Sequence, residues 1–189
     1  MTDRYNRVAI LLHWLIGLSI IALLVLGLVM EDLPKSILYT GYMVHKSLGL
    51  SVLVLTLIRI VWRLTHKVPS MPDSMKPWEK FAAHAVHFGL YVLMLGLPLS
   101  GWAMVSSSSK GYPTNFFNLF EWPHIPFLVD IANKSEINHT IRETHETLAW
   151  IAIALIILHA GAALKHHFIN RDSVLVRMLP FLKPLSVKE

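Results

Sequence analysis

Residues 144–168, THETLAWIAIALIILHAGAALKHHF, decide the fold: an apolar run framed by polar ends, with His145 at its start and His159 towards its end. The run is long enough for the ~20 helical residues that a hydrocarbon layer requires. On a helix, the step from His145 to His159 is about 21 Å along the axis and only about 40° around it. Both imidazoles therefore share a face, one near each side of a membrane. Ionisable groups are costly in lipid and usually functional there, so one helix offers two ligand positions at two depths.

Three further blocks of this kind precede it, in a chain that is 54% hydrophobic and 15% charged. Spans are expected at about 8–30, 41–64, 79–105 and 144–168. The fold class is then all-α, an integral membrane four-helix bundle forming a single domain over 1–189. Residues 68–77 read as a loop between the second and third helices. The first block exceeds a typical signal core and no small-residue cleavage pattern follows Met30, so it reads as a retained helix.

Net charge is +5, and its distribution reports topology. Arg4, Arg7, Arg59, Arg63, Lys67, Lys76, Lys80, Lys165, Arg171, Arg177, Lys183 and Lys188 fall on one side, with Lys35, Lys46, Lys110, Lys134 and Arg142 on the other. Basic residues accumulate inside, so the reading is a multi-pass protein of a bacterial inner membrane with both termini cytoplasmic. No basic stripe with interleaved aromatics lies on a soluble element, so no nucleic-acid partner is expected.

With that topology His13 and His159 share the inner half, and His45 and His145 the outer half. Two imidazoles per depth suit two haems, each with both axial positions filled, an arrangement that favours one-electron transfer. The chain has no cysteine, which excludes disulfides, iron–sulfur clusters and covalent haem attachment, leaving haem b. Gly17 and Gly49 each follow a candidate histidine by one turn, and Gly161 lies near His159, offering bare helix faces to a flat ring. The alternative is that these glycines serve close helix packing. His84 and His87 also lie in the inner half, and spacing alone leaves them open as replacements for His13 or His159.

Other groups carry further expectations. His166 falls near the face of His159 and could line a quinone pocket with His84 and His87, whereas His167 points about 80° away from it. Arg59 and Arg63 read as interface anchors before propionate partners. Trp14, Trp62, Trp78, Trp102 and Trp150 read as an aromatic belt. Pro98, with Gly96 and Gly101, is expected to bend the third helix. The segment 106–143, rich in aromatics, is expected to pack back on the bundle or lie at the interface. Lys46 and Arg142, beside His45 and His145, could steer a small anion.

Longer motifs now stand out: Arg-x-x-Val-Ala-Ile-x-x-His-Trp ending at Trp14, His45-Lys-Ser-x-Gly49, Ala83-His84-x-x-His87, Thr144-His145-Glu-Thr-Leu-Ala149, and the run from His159 through His166-His167 to Arg177-Met178-x-Pro180. Across essentially its whole length the chain resembles the bacterial cytochrome b561 family of diheme membrane proteins. The resemblance implies two haems b, held by His45 with His145 outside and by His13 with His159 inside. It also implies His84, His87 and His166 near the quinone end. The compact members it is similar to take electrons from periplasmic superoxide and deliver them to ubiquinone, so superoxide, quinone and the lipid bilayer are the expected partners. A second reading is an electron-transfer subunit served by a periplasmic dehydrogenase or hydrogenase. A third is a proton or metal-ion transporter using intramembrane histidines.

Overall fold

The computed structural model describes residues 4–179 and 181–182; Pro180 of the last motif, with Lys183 and Lys188 of the charge count, lies outside the described residues. Asn6 starts α1 (Arg7–Val29) by accepting the Ala9 amide at 2.8 Å, satisfying a donor that a helix start leaves orphaned. A 3-10 turn and Pro34 lead into α2 (Lys35–Thr65). Pro77 occupies the first turn of α3 (Pro77–Ser106), where its missing N–H costs nothing. There Glu79 reaches back to the Lys76 amide at 3.0 Å. The helix runs through Pro98 without interruption.

Beyond α3 the chain folds into a small hairpin, β1 (Thr114–Phe116) against β2 (Phe120–Trp122), with Thr114 opposite Trp122. Phe117 and Asn118 both take positive φ to turn it. A single turn, α4 (Pro126–Val129), precedes α5 (Lys134–Lys165), and a π-helical turn, His166–Asn170, closes the last helix.

Two boundaries differ from the sequence reading. The second helix begins at Lys35 rather than 41, and the fourth apolar helix begins at Lys134, ten residues before 144. Hydropathy detects only the lipid-buried part of a helix, while Lys134–Glu143 is polar helix continuing past it. His145 therefore lies well inside α5 rather than in its first turn, and the external segment shortens to 107–133.

Four helices are long and apolar enough to cross a membrane, and no more than 22% of any span's apolar window is buried inside the protein. Such outward-facing apolar surface belongs in lipid, and this is a membrane protein. The chain runs up and down. α3 packs against α5, and α2 against both α1 and α3, whereas α5 stands off from α1 and α2. One bundle end, which carries the described terminal residues, is tied by the Trp14 indole donating to the Met178 carbonyl at 2.7 Å and by Lys165 on Glu79 at 2.5 Å. The other end is tied by the hairpin. Ser47 on α2 accepts the Phe117 amide at 2.8 Å, and Asn138 on α5 donates to the Met104 carbonyl at 2.6 Å.

Candidate functional site

The standoff of α5 from α1 and α2 is bridged by imidazoles. At the terminal end, His13 of α1 faces His159 of α5 with ring centroids 6.0 Å apart and planes at 60°. Towards the hairpin end, His45 of α2 faces His145 of α5 at 6.3 Å and 67°. Two imidazole nitrogens on opposite sides of one first-row metal, each about 2 Å from it, put their ring centroids roughly 6 Å apart. Both pairs fit that separation. A Cβ built on Gly17, Gly49 or Gly161 would meet nothing within 4 Å, so these helix faces leave the room a porphyrin needs. The donor set, neutral imidazoles with no thiolate in the chain, suits non-covalent haem.

The surroundings of the hairpin-side pair include residues that sequence reasoning missed. The Ser100 hydroxyl donates to the Leu97 carbonyl at 2.9 Å and meets His145 Nδ1 at 2.9 Å. A hydroxyl has one hydrogen, so with that hydrogen on Leu97 it accepts from Nδ1–H, leaving Nε2 with its lone pair free for a metal. Gly101 touches the same ring: an added Cβ would stand 3.3 Å from His145 Cε1. Gly27 does the same for His45 at 3.5 Å. His45 Nδ1 is buried without a partner. A serine or glycine in an apolar helix carries no distinguishing signal in one sequence, and only the packing of α3 on α5, and of α1 on α2 at Gly27, reveals these contacts.

The terminal-side pair is barer. Among the described residues neither His13 nor His159 hydrogen-bonds to protein. His87 is a third ring here, 5.2 Å from His159 at 66°. His84 turns away, exposed, with Nδ1 donating to the Lys80 carbonyl at 2.7 Å. His166 does not join them as an open pocket wall. It is buried, and its Nδ1 bonds Asp172 Oδ2 at 2.5 Å, with Asn170 at 3.1 Å. His167 is also buried, its Nδ1 unpartnered. Lys46 donates to the Pro113 carbonyl at 2.8 Å, which fixes its charge next to His45, while Arg142 is exposed on α5. Of the tryptophans, Trp102 donates to the Pro123 carbonyl at 2.9 Å and stacks edge-on against Trp122, while Trp78 and Trp150 stay exposed.

A lipid-exposed helical bundle with facing imidazoles at two depths has the form of a membrane haem protein. Comparison with known proteins gives the family: the chain belongs to the prokaryotic cytochrome b561 family, whose profile matches residues 4–181. It is thus a membrane protein of b-type haem electron transfer. Two proteins of Escherichia coli K12 are similar along nearly their whole length. Cytochrome b561 homolog 2 is 32% identical, covering 94% of this chain and 92% of its own. Cytochrome b561 homolog 1 is 34% identical, covering 94% and 98%. A Yersinia pestis protein named probable superoxide oxidase CybB is 31% identical, covering 95% and 98%.

Proposed function

We propose that this protein is a superoxide:ubiquinone oxidoreductase with two haems b, one between His45 and His145 and one between His13 and His159. The observation that carries the reading is the two imidazole couples, 6.3 Å and 6.0 Å apart, on helices that stand away from each other. Haem held between these imidazoles would supply one-electron transfer. The basic residues orient the chain with its termini in the cytoplasm of a bacterial cell and the hairpin outside.

Overall, two superoxide anions and one ubiquinone, with two protons, give two dioxygen molecules and one ubiquinol. On the outer side the chain's own part is electrostatic. Lys46, pinned to the Pro113 carbonyl at 2.8 Å, and Arg142, three residues before His145, attract the anion. On the inner side His87, beside His159, serves the quinone with hydrogen bonds and protons, while His84, turned to the Lys80 carbonyl, and His166, held on Asp172, lie outside that contact. The name borne by the Yersinia pestis relative supports the choice of superoxide.

The test is stopped-flow absorption of the oxidised, purified protein. Superoxide should reduce the haem within the mixing experiment, and a ubiquinone analogue should reoxidise it. Haem that responds to dithionite but not to superoxide would sink the reading. It would favour the second one, an electron-transfer subunit fed by a periplasmic dehydrogenase or hydrogenase. Leu119 and Phe127, 77% and 74% exposed on the hairpin side, are apolar groups that such a partner could cover.

A further inference from the structure

At the terminal end of the bundle a cleft opens between α1, α2 and α3, sharing Arg59 with the surroundings of the His13–His159 pair. Its walls include Arg59, Trp62, Arg63, His66, Lys67 and Tyr91. Three permanent cations and an imidazole thus crowd the last turns of one helix and the residues just beyond it. None of them pairs with a carboxylate among the described residues. The cleft is built rather than incidental. Arg59 is half-buried and fixed, its Nε donating to the Tyr91 hydroxyl at 3.2 Å and its Nη1 to the Ala9 carbonyl at 3.0 Å. Arg63 lies over the Tyr91 ring at 5.9 Å. Trp62 stacks flat on His66 at 3.7 Å, and its indole donates to Asn6 at 3.1 Å. These contacts use only part of each guanidinium and leave N–H groups for an anion.

We propose that this cleft binds the phosphate headgroup of an anionic phospholipid. Uncompensated positive charge calls for an anion, and a guanidinium matches phosphate geometry. Two neighbouring side chains select a lipid over a soluble anion: Leu64, 81% exposed, and Val61, 61% exposed, project from the same turns of α2. Acyl chains can lie along them while the phosphate sits among Arg59, Arg63 and Lys67. Basic pockets between membrane helices bind such headgroups by this division of labour. The proposal does not depend on which molecule donates electrons.

Native mass spectrometry of the full-length, haem-loaded protein tests it, with phosphatidylglycerol and phosphatidylcholine offered at equal concentration. The wild type should retain phosphatidylglycerol by about fivefold or more, since each basic residue near an anionic surface contributes roughly that factor. R63Q/K67Q should lose the preference, R63K/K67R should keep it, and K110Q/K134Q, at the opposite end, should leave it unchanged. Single K67Q, on an exposed residue outside the helices, serves should the double variant fail to fold, with a partial loss expected. A preference that survives R63Q/K67Q, or that the wild type lacks, overturns the proposal. Displacement by excess inorganic phosphate also overturns it, in favour of a soluble-anion site.

Discussion

The hairpin-side histidine pair, outer in the proposed orientation, is held by its protein, whereas the terminal-side pair, inner in that orientation, is merely placed. Outside, His145 bonds Ser100, Gly101 and Gly27 are bare where the two rings lie, and the hairpin is clamped onto α2 one and two residues from His45 through Lys46 and Ser47. On the terminal side, neither His13 nor His159 hydrogen-bonds to protein among the described residues, and their neighbours are His87 and the Arg59 guanidinium, which donates to the Ala9 carbonyl. Partners behind a ligand fix its ring and raise its basicity. An outer site so braced should have a fixed ligand field, while an inner site with looser rings and charged neighbours has its electrostatics to tune it.

The largest effect should come from removing a ligand. His145→Ala and His159→Ala should each halve the haem content measured by pyridine haemochrome, and superoxide-driven quinone reduction should vanish in both. Unchanged haem content in either variant would break the two-pair reading outright. Next, Gly101→Val should displace the His145 ring, 3.3 Å from the new Cβ, and deplete the outer haem alone. Gly17→Leu should instead fill the open face one turn from His13 and deplete the inner haem alone. Loss of the same haem from both variants would remove the contrast between the sites.

Ser47→Ala removes the acceptor of the part-buried Phe117 amide and should lower unfolding stability by about 1 kcal/mol, read as an earlier melt of the hairpin region in hydrogen exchange. Ser100→Ala should be milder. It removes the acceptor of the His145 Nδ1–H, makes the imidazole a weaker donor, and so raises the midpoint potential of the outer haem without moving the inner one. The smallest effect is expected for Lys46→Gln: a few-fold slower reaction with superoxide and a flatter dependence on ionic strength. An unaltered salt dependence would remove Lys46 from the steering role.

Much of this was legible in the chain. Four apolar runs separated by charged ends are membrane helices whatever their partners, because lipid leaves backbone groups no other way to be satisfied. The spacing of His145 and His159 is a property of the helix itself. The start of α5 at Lys134 was not legible, because the turns Lys134–Glu143 carry only Ile137 and Ile141 among polar residues, too little apolar surface to register as a span, and owe their helicity to the apolar run they extend and to contacts such as Asn138 with Met104. The hairpin was hidden for a related reason: its strands are three residues long, and what fixes them is Ser47 on a helix far away in sequence. His166 looked like a free polar lining by its spacing from His159, yet the π-helical turn brings Asp172 back onto its ring.

The sequence by itself determined the membrane class, the number of spans and the two depths at which α5 presents imidazoles, because hydropathy and helical pitch are local properties. Only the tertiary structure decided that α5 stands off from α1 and α2 at both depths, which rings face each other across the gaps, and that Ser100 backs one of them. Those depend on how helices far apart in sequence pack, and no local pattern encodes that distance.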